Sequence, residues 1–223
     1  MRTRRSDRFQ TPLISPIDLH SLESKDEASL FAEKHHEGAR FEGADISEQD
    51  LTGYTFTECE FDGLTANDTQ LQGTRFIDTK LTQLIAPKMR ARRSTWKGVE
   101  LTSSRLGAVE AYDAELSQVV FEGSKLGWLN FRSSQLQDVV FRSCRIDELD
   151  LTDAKLNRVS FEECTVDTLT LNGTKAQHLD LRGIEFSRID GLEGLRGSRI
   201  TEQQAVEMAG LFASHLGIQI SAS

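Results

Sequence analysis

Large apolar residues recur every fifth position from Phe41 to Phe186, through Ile46, Leu51, Phe56, Phe61 and so on. All thirty positions of this phase are apolar, with no insertion. Nine of the twelve phenylalanines fall on it. The residue two before each is usually small: twenty of the thirty are Ala, Cys, Ser, Thr or Val. Glycine favours the position two after, at Gly43, Gly53, Gly63, Gly73, Gly98, Gly123, Gly173 and Gly183. A period of five fits neither a helix nor a flat strand, whose side chains repeat at 3.6 and 2. It fits a chain that turns a corner every five residues, with one large and one small residue facing inward on each side and a strained corner that suits glycine. Four sides close a coil of twenty residues, and coils stack as parallel strands about 4.8 Å apart. Thirty units make about 7.5 coils and a rod roughly 36 Å long.

Residues twenty apart then share a column. Phe121, Phe141 and Phe161 form an aromatic ladder, with Phe41 and Phe61 further along the same column. On the outside, Arg40, Glu60, Lys80 and Glu100 alternate in sign, as do Glu122, Arg142, Glu162 and Arg182. Exposed pairs of this kind are each worth about 0–1 kcal/mol, so they set register more than stability.

The units Gly43-Ala44-Asp45-Ile46-Ser47, Asp113-Ala114-Glu115-Leu116-Ser117 and Asp153-Ala154-Lys155-Leu156-Asn157 resemble the A-(D/N)-L-x-x unit of pentapeptide-repeat proteins. The resemblance implies an all-β solenoid, a right-handed quadrilateral parallel β-helix with a short C-terminal α-helix. It places the repeat at residues 39–190, between an N-terminal capping extension at 1–38 and a C-terminal cap at 191–223. In the extension, Leu13, Ile14, Ile17, Leu19, Leu22, Leu30 and Phe31 are expected to cover the first coil. Thr201-Glu202-Gln203-Gln204 reads as a capping box opening a helix at about 202–216. Ala205, Met208, Ala209, Phe212 and Leu216 share one face of that helix. In family members such a helix often packs a twofold dimer. A plug over the last coil is the alternative, and Met208, Phe212 and Leu216 are the candidate contacts for either.

Charge narrows the partners. Lys plus Arg is 26 against 35 Asp plus Glu, a net charge of −9. That balance argues against direct nucleic-acid binding by phosphate neutralisation. No apolar run reaches the 18 or so residues of a membrane span, and no apolar stretch follows the basic opening Met1–Arg8, so a cytoplasmic protein is expected. Three cysteines are an odd, sparse set. Cys144 and Cys164, twenty apart, read as core fillers. His35-His36 reads as polar linker, since no ligand set converges on it. No nucleophile elbow, phosphate loop or dinucleotide fingerprint is present. No enzyme activity, cofactor or metal is expected.

Two functional readings follow. The first is a non-enzymatic protein-interaction scaffold with an unidentified protein partner, for which the basic residues Arg90, Arg92 and Arg93 and the outward Trp128 and Tyr112 are candidate contacts. The second comes from the resemblance: acidic members of the quinolone-resistance group mimic DNA and bind DNA gyrase or topoisomerase IV, which modulates quinolone sensitivity. Asp45, Asp50, Glu58, Asp62, Asp68 and Asp78 are its candidate residues. Residues 41–78 carry net −8, 79–99 net +6 and 100–190 net −6. Over the rod that is near one charge per 4.5 Å, against one per about 1.7 Å in B-DNA. The unbroken register also leaves no projecting loop of the kind seen in some resistance proteins. Acids spread around the circumference favour the scaffold. One acidic face running past the basic girdle favours the mimic.

Overall fold

The computed structural model describes residues 9–221; the basic opening run Met1–Arg8 lies outside them. The chain winds into a parallel β-solenoid of about nine turns. Among the described residues its strands form a twelve-stranded and a seven-stranded sheet, every pairing parallel. Register is the expected twenty: Phe121 pairs with Phe141, and Phe141 with Phe161. Pairing extends past the repeat at both ends, through Glu23–Lys25 on Ala39–Phe41 and Ser198–Arg199 on Leu179–Asp180. Most corners place the residue two after the large apolar one at positive φ. Seven of the eight corner glycines lie there, and so do non-glycines such as Asp113, Gln118 and Asp138. Gly183 does not; its backbone passes so close to Phe161 that a Cβ would stand 2.3 Å from that carbonyl oxygen.

The small inward residue has a second role that its size alone did not reveal. The hydroxyls of Thr69, Thr74, Thr79, Ser134 and Thr174 donate to the carbonyl of the residue twenty-three earlier, in the coil below. The thiols of Cys59, Cys144 and Cys164 make the same bond more weakly, at 3.3–3.5 Å. Carbonyls turned into the rod are thereby paired, which buried backbone requires.

The large inward residues stack as expected. Phe121, Phe141 and Phe161 lie 4.8 and 5.0 Å apart at interplanar angles of 5° and 8°, and Phe41 stacks on Phe61 at 5.2 Å. A second column runs His36, Phe56, Phe76, Trp96. His36 therefore corrects the linker reading: it is 3% exposed, takes the large inward position five before Phe41, and donates from Nε2 to the carbonyls of Leu30 and Glu33. A histidine serves at the first coil because no lower coil accepts its polar edge, while the turn above the helix Glu27–Ala32 does.

The two ends are closed differently. Leu30, on Glu27–Ala32, is fully buried over the first coil, and the Asp26 carboxylate caps that helix at the Ser29 N–H. At the far end the capping box forms: Gln204 N–H donates to Thr201 Oγ1, and Thr201 N–H to Gln204 Oε1. The helix is divided at Met208 into Glu202–Glu207 and Ala209–His215. Its packed face is Gln204, Met208 and Phe212, whereas Ala205, Ala209 and Leu216 are exposed. The spacing of four won over the broader apolar stripe because only one narrow ridge fits the mouth of the last coil.

Residues 9–19 do not cover the first coil. They run along the flank of the rod as an extended strap. The N–H groups of Gln10, Leu13 and Ser15 donate to His178 Nδ1 (3.2 Å), Asp138 Oδ1 (2.9 Å) and Gln118 Oε1 (3.2 Å). Leu13 is 65% exposed, while Ile14, Ile17, Leu19 and Leu22 are half-buried.

Phe141 is fully buried between two parallel rings, so Phe141→Ala is expected to cost about 3–5 kcal/mol in denaturant unfolding. Leu13→Ala on the exposed side of the strap is expected to stay within about 0.5 kcal/mol. Equal effects of the two would contradict the stacked-core account.

Candidate interaction surface

A filled solenoid offers its partners only outward columns, corners and ends, so the candidate residues are judged by which of these they share. The six candidate acids do not converge. Asp45 and Asp50 are exposed on different sides. Each carboxylate accepts the N–H two residues on, from Ser47 and Thr52 at 2.9 Å, and those bonds hold both groups below the usual carboxylate range. Asp62 continues the column of Glu42. Asp68 faces Lys88 at 3.6 Å and touches Arg90. Glu58 and Asp78 share one corner, both exposed. The Asp78 carboxylate reaches up beside Gly98 of the next coil, where any Cβ would meet it at 2.3 Å.

The basic girdle is equally dispersed. Arg90 is tied to Asp68. Arg92 donates to Gln72 Oε1 and, at 3.4 Å, to Tyr112 Oη. Arg93 reaches Asp113 at 4.0 Å. Trp128 is half-buried on a separate side, in register with Ala108 and Glu148. Reading the outward positions coil by coil, no column carries acids in more than two successive coils. The charge ladders form in part: Arg40–Glu60 and Lys80–Glu100 at 3.7 Å, and Arg142 between Glu122 (3.6 Å) and Glu162 (2.7 Å). Arg182 leaves its column for Asp180 in its own coil, 2.7 Å away.

The C-terminal end is different in kind. Met208 is buried and Phe212 half-buried against the last coil. Val206, Leu211, Leu216, Ile218 and Ile220 are exposed, three of them by more than 70%. The three cysteines are free and buried. Burial pushes the Cys59 thiol up, and the hydrogen bond with Cys164 together with burial does the same to Cys144. These two buried thiols are poor nucleophiles; Cys164 is pulled down to about 7 by the bond with Cys144 but is itself buried.

The far half of the Glu58–Asp78 corner escaped the sequence reading. Gln118, Asp138, Arg158 and His178, spaced by twenty, all have φ near +55° and project from the edge on which the strap lies. Asp138 is 5% and Arg158 14% exposed, paired through Nε and Nη2, the latter at 2.7 Å. Burial alone would raise the Asp138 carboxyl, but the bonds from Arg158 and the Leu13 N–H outweigh it and hold the group below its ordinary range. The available signal was apolar side chains at outward positions: Val120 and Val140 stand where other coils carry Lys80 and Glu100. Both are buried, yet neither belongs to the solenoid's core cluster.

Comparison with known proteins agrees with this architecture. A family described as pentapeptide repeats matches residues 39–78, and one described as a pentapeptide repeat region matches 93–171 and 114–191. No curated protein sequence matches the chain. Among solved structures, full-length QnrB1, a plasmid-mediated fluoroquinolone resistance protein, is 16% identical over 88% of this chain and 95% of its own, with a TM-score of 0.37. HetL, a pentapeptide repeat protein involved in heterocyst differentiation regulation in the cyanobacterium Nostoc, is 13% identical over 74% of this chain and 87% of its own, with a TM-score of 0.36.

The Asp138 carboxyl is held low in the folded protein, so its contribution is complete above the ordinary Asp value of about 3.9. It is lost as pH falls through the lower folded value. Arg158→Ala strands a buried carboxylate, and a loss of about 3 kcal/mol is expected at neutral pH. Acid titration of unfolding should then show a weaker loss of stability for the variant below pH 4 than for the wild type. Parallel acid limbs would mean that the pair is not the source.

Proposed function

Because the chain belongs to the pentapeptide-repeat family, we propose that it is a non-enzymatic protein-interaction rod, meeting protein partners through its flanks and its C-terminal end. The observation that carries this is the contrast between the two kinds of surface. Along residues 39–190, Ile85 is the only exposed large apolar side chain among the described residues, and ion pairs such as Arg142 with Glu122 and Glu162 join part of the charge. At the end, Val206, Leu211, Leu216, Ile218 and Ile220 remain exposed beside a last coil that is already plugged. Exposed apolar residues gathered at one place mark protein contacts. A second copy of the chain is the occupant proposed for this end: a homodimer through the C-terminal helices, with Leu211 and Leu216 at its centre and Met208 and Phe212 holding each helix to its own rod.

The alternative, a DNA mimic that binds DNA gyrase or topoisomerase IV, needs a long acidic face. The outward columns favour the scaffold, because the acids of residues 41–78 lie, corners apart, on three of the four sides, and the bases of 79–99 follow on two of those three and on the side without acids.

Sedimentation velocity tests the C-terminal reading. The wild-type chain, 25.0 kDa, should sediment as a dimer at micromolar concentration, and Leu211→Asp with Leu216→Asp should give a folded monomer. A wild-type monomer at every concentration would remove the homodimer. In parallel, gyrase supercoiling should be unaffected by the protein at low salt; dose-dependent inhibition that weakens with salt would restore the mimic.

A further inference from the structure

The strap is held the way a docked peptide is held. Its hydrogen bonds run from main-chain N–H groups to side-chain acceptors, across sequence separations of 103 to 168 residues. The acceptors Gln118, Asp138 and His178 stand in one corner column and project outward from left-handed backbone. Their spacing suits an extended chain: three coils from Gln118 to His178 span about 14 Å, and five residues from Gln10 to Ser15 span about 16 Å. The donors fall at Gln10, Leu13 and Ser15, and the two residues without an N–H, Pro12 and Pro16, fall where no acceptor waits. Each proline also biases the residue before it to extended backbone, so this sequence is ordered for the track before it docks. Phe9 anchors one end, edge-on to the His178 ring at 5.5 Å and under the Arg199 guanidinium at 4.0 Å. Arg158 adds a bond to the Gln10 side chain at 3.5 Å.

We propose that the Gln118–Asp138–Arg158–His178 column, with Arg199, is a binding site for extended peptides, and that residues 9–15 are its intramolecular occupant. The chemistry that it reads is an aromatic side chain followed by free N–H groups one, four and six residues later, with proline accepted at three and seven. A partner segment of that chemistry displaces the strap. The strap can leave without unwinding the rod, because Ser21, at φ 55°, forms a sharp joint between it and the strand Glu23–Lys25. Asp18 and His20 beside that joint are more than three-quarters exposed. The inference stands on the contacts of the strap and is independent of whether the C-terminal end pairs two copies.

The test uses a labelled synthetic peptide of residues 9–19 with blocked ends and the full-length chain. Phe9→Ala with Leu13→Pro removes the anchor and the N–H that Asp138 accepts, and so frees the track. The peptide should bind this variant saturably and the wild type at least about tenfold more weakly, since a tethered occupant competes at millimolar effective concentration. Adding Gln118→Ala and His178→Ala to the freed variant should abolish the binding. Equal binding to wild type and freed variant, or none to the freed variant at about millimolar peptide, overturns the proposal. Amide exchange gives an independent readout. In the wild type the Gln10, Leu13 and Ser15 amides should exchange more slowly than in the free peptide, and free-peptide rates there would also overturn it.

Discussion

The structure depends on one constraint: each coil must repeat the coil beneath it at a rise of about 4.8 Å. A column of identical heights leaves no room for a residue of the wrong size or an unpaired carbonyl. The large position answers the first demand with flat stacks such as Phe121, Phe141 and Phe161, nearly parallel. The small position answers the second, because a hydroxyl or thiol there reaches the inward carbonyl of the coil below. That is why Ser, Thr and Cys share the position with Ala and Val: the apolar members fill space, and the polar ones also satisfy backbone.

The same bond explains how the rod stops. Gln204 Nε2 donates to the Leu181 carbonyl, again twenty-three residues back, and to the Ile184 carbonyl. A helix residue thus makes the contact that the next coil would have made, and the capping box of the helix fixes its side chain in place. At the other end His36 occupies a large inward position while turning its polar edge to the carbonyls of Leu30 and Glu33. Both caps extend the interior pattern by one step and substitute a residue whose far side can face something other than another coil. Raw strand edges invite pairing with other chains, and these ends are covered without adding a coil.

What was legible in the sequence was whatever the period of five enforces. The coil, the aromatic ladder and the corner glycines all follow from residues twenty apart meeting in space. The capping box was legible because its two bonds lie within four residues. The strap was not, since its bonds join main-chain N–H groups, which every residue but proline carries, to single side chains more than a hundred residues away. Arg182 shows the same limit at the surface. Its column predicted Glu162, but an exposed guanidinium is free to choose, and Asp180 in its own coil is the nearer carboxylate. The candidate acids failed to form a face because net charge over residues 41–78 is a sum along the chain, whereas a face is selected by position modulo twenty. His36 was hidden by its type: a histidine beside another histidine reads as polar until Phe56 is found stacked on it from the next coil.

Outward positions escape the stacking constraint, so selection for function can act there one column at a time. Two columns, those of Arg40 and Glu122, use that freedom for alternating charge, which engages side chains with each other. The corner from Glu58 to His178 departs from this habit. It carries Glu58, Asp78, Gly98, Gln118, Asp138, Arg158 and His178 in turn, acidic toward the first coils and furnished with acceptors and an arginine toward the last. The left-handed backbone at these positions costs about 1 kcal/mol per non-glycine residue, while glycine at Gly98 shows that the corner itself asks for none of their side chains. Side chains kept at such positions in spite of strain are explained by what they touch. Here that is Asp138 and Arg158 on each other, and three main-chain N–H groups arriving from the other end of the sequence.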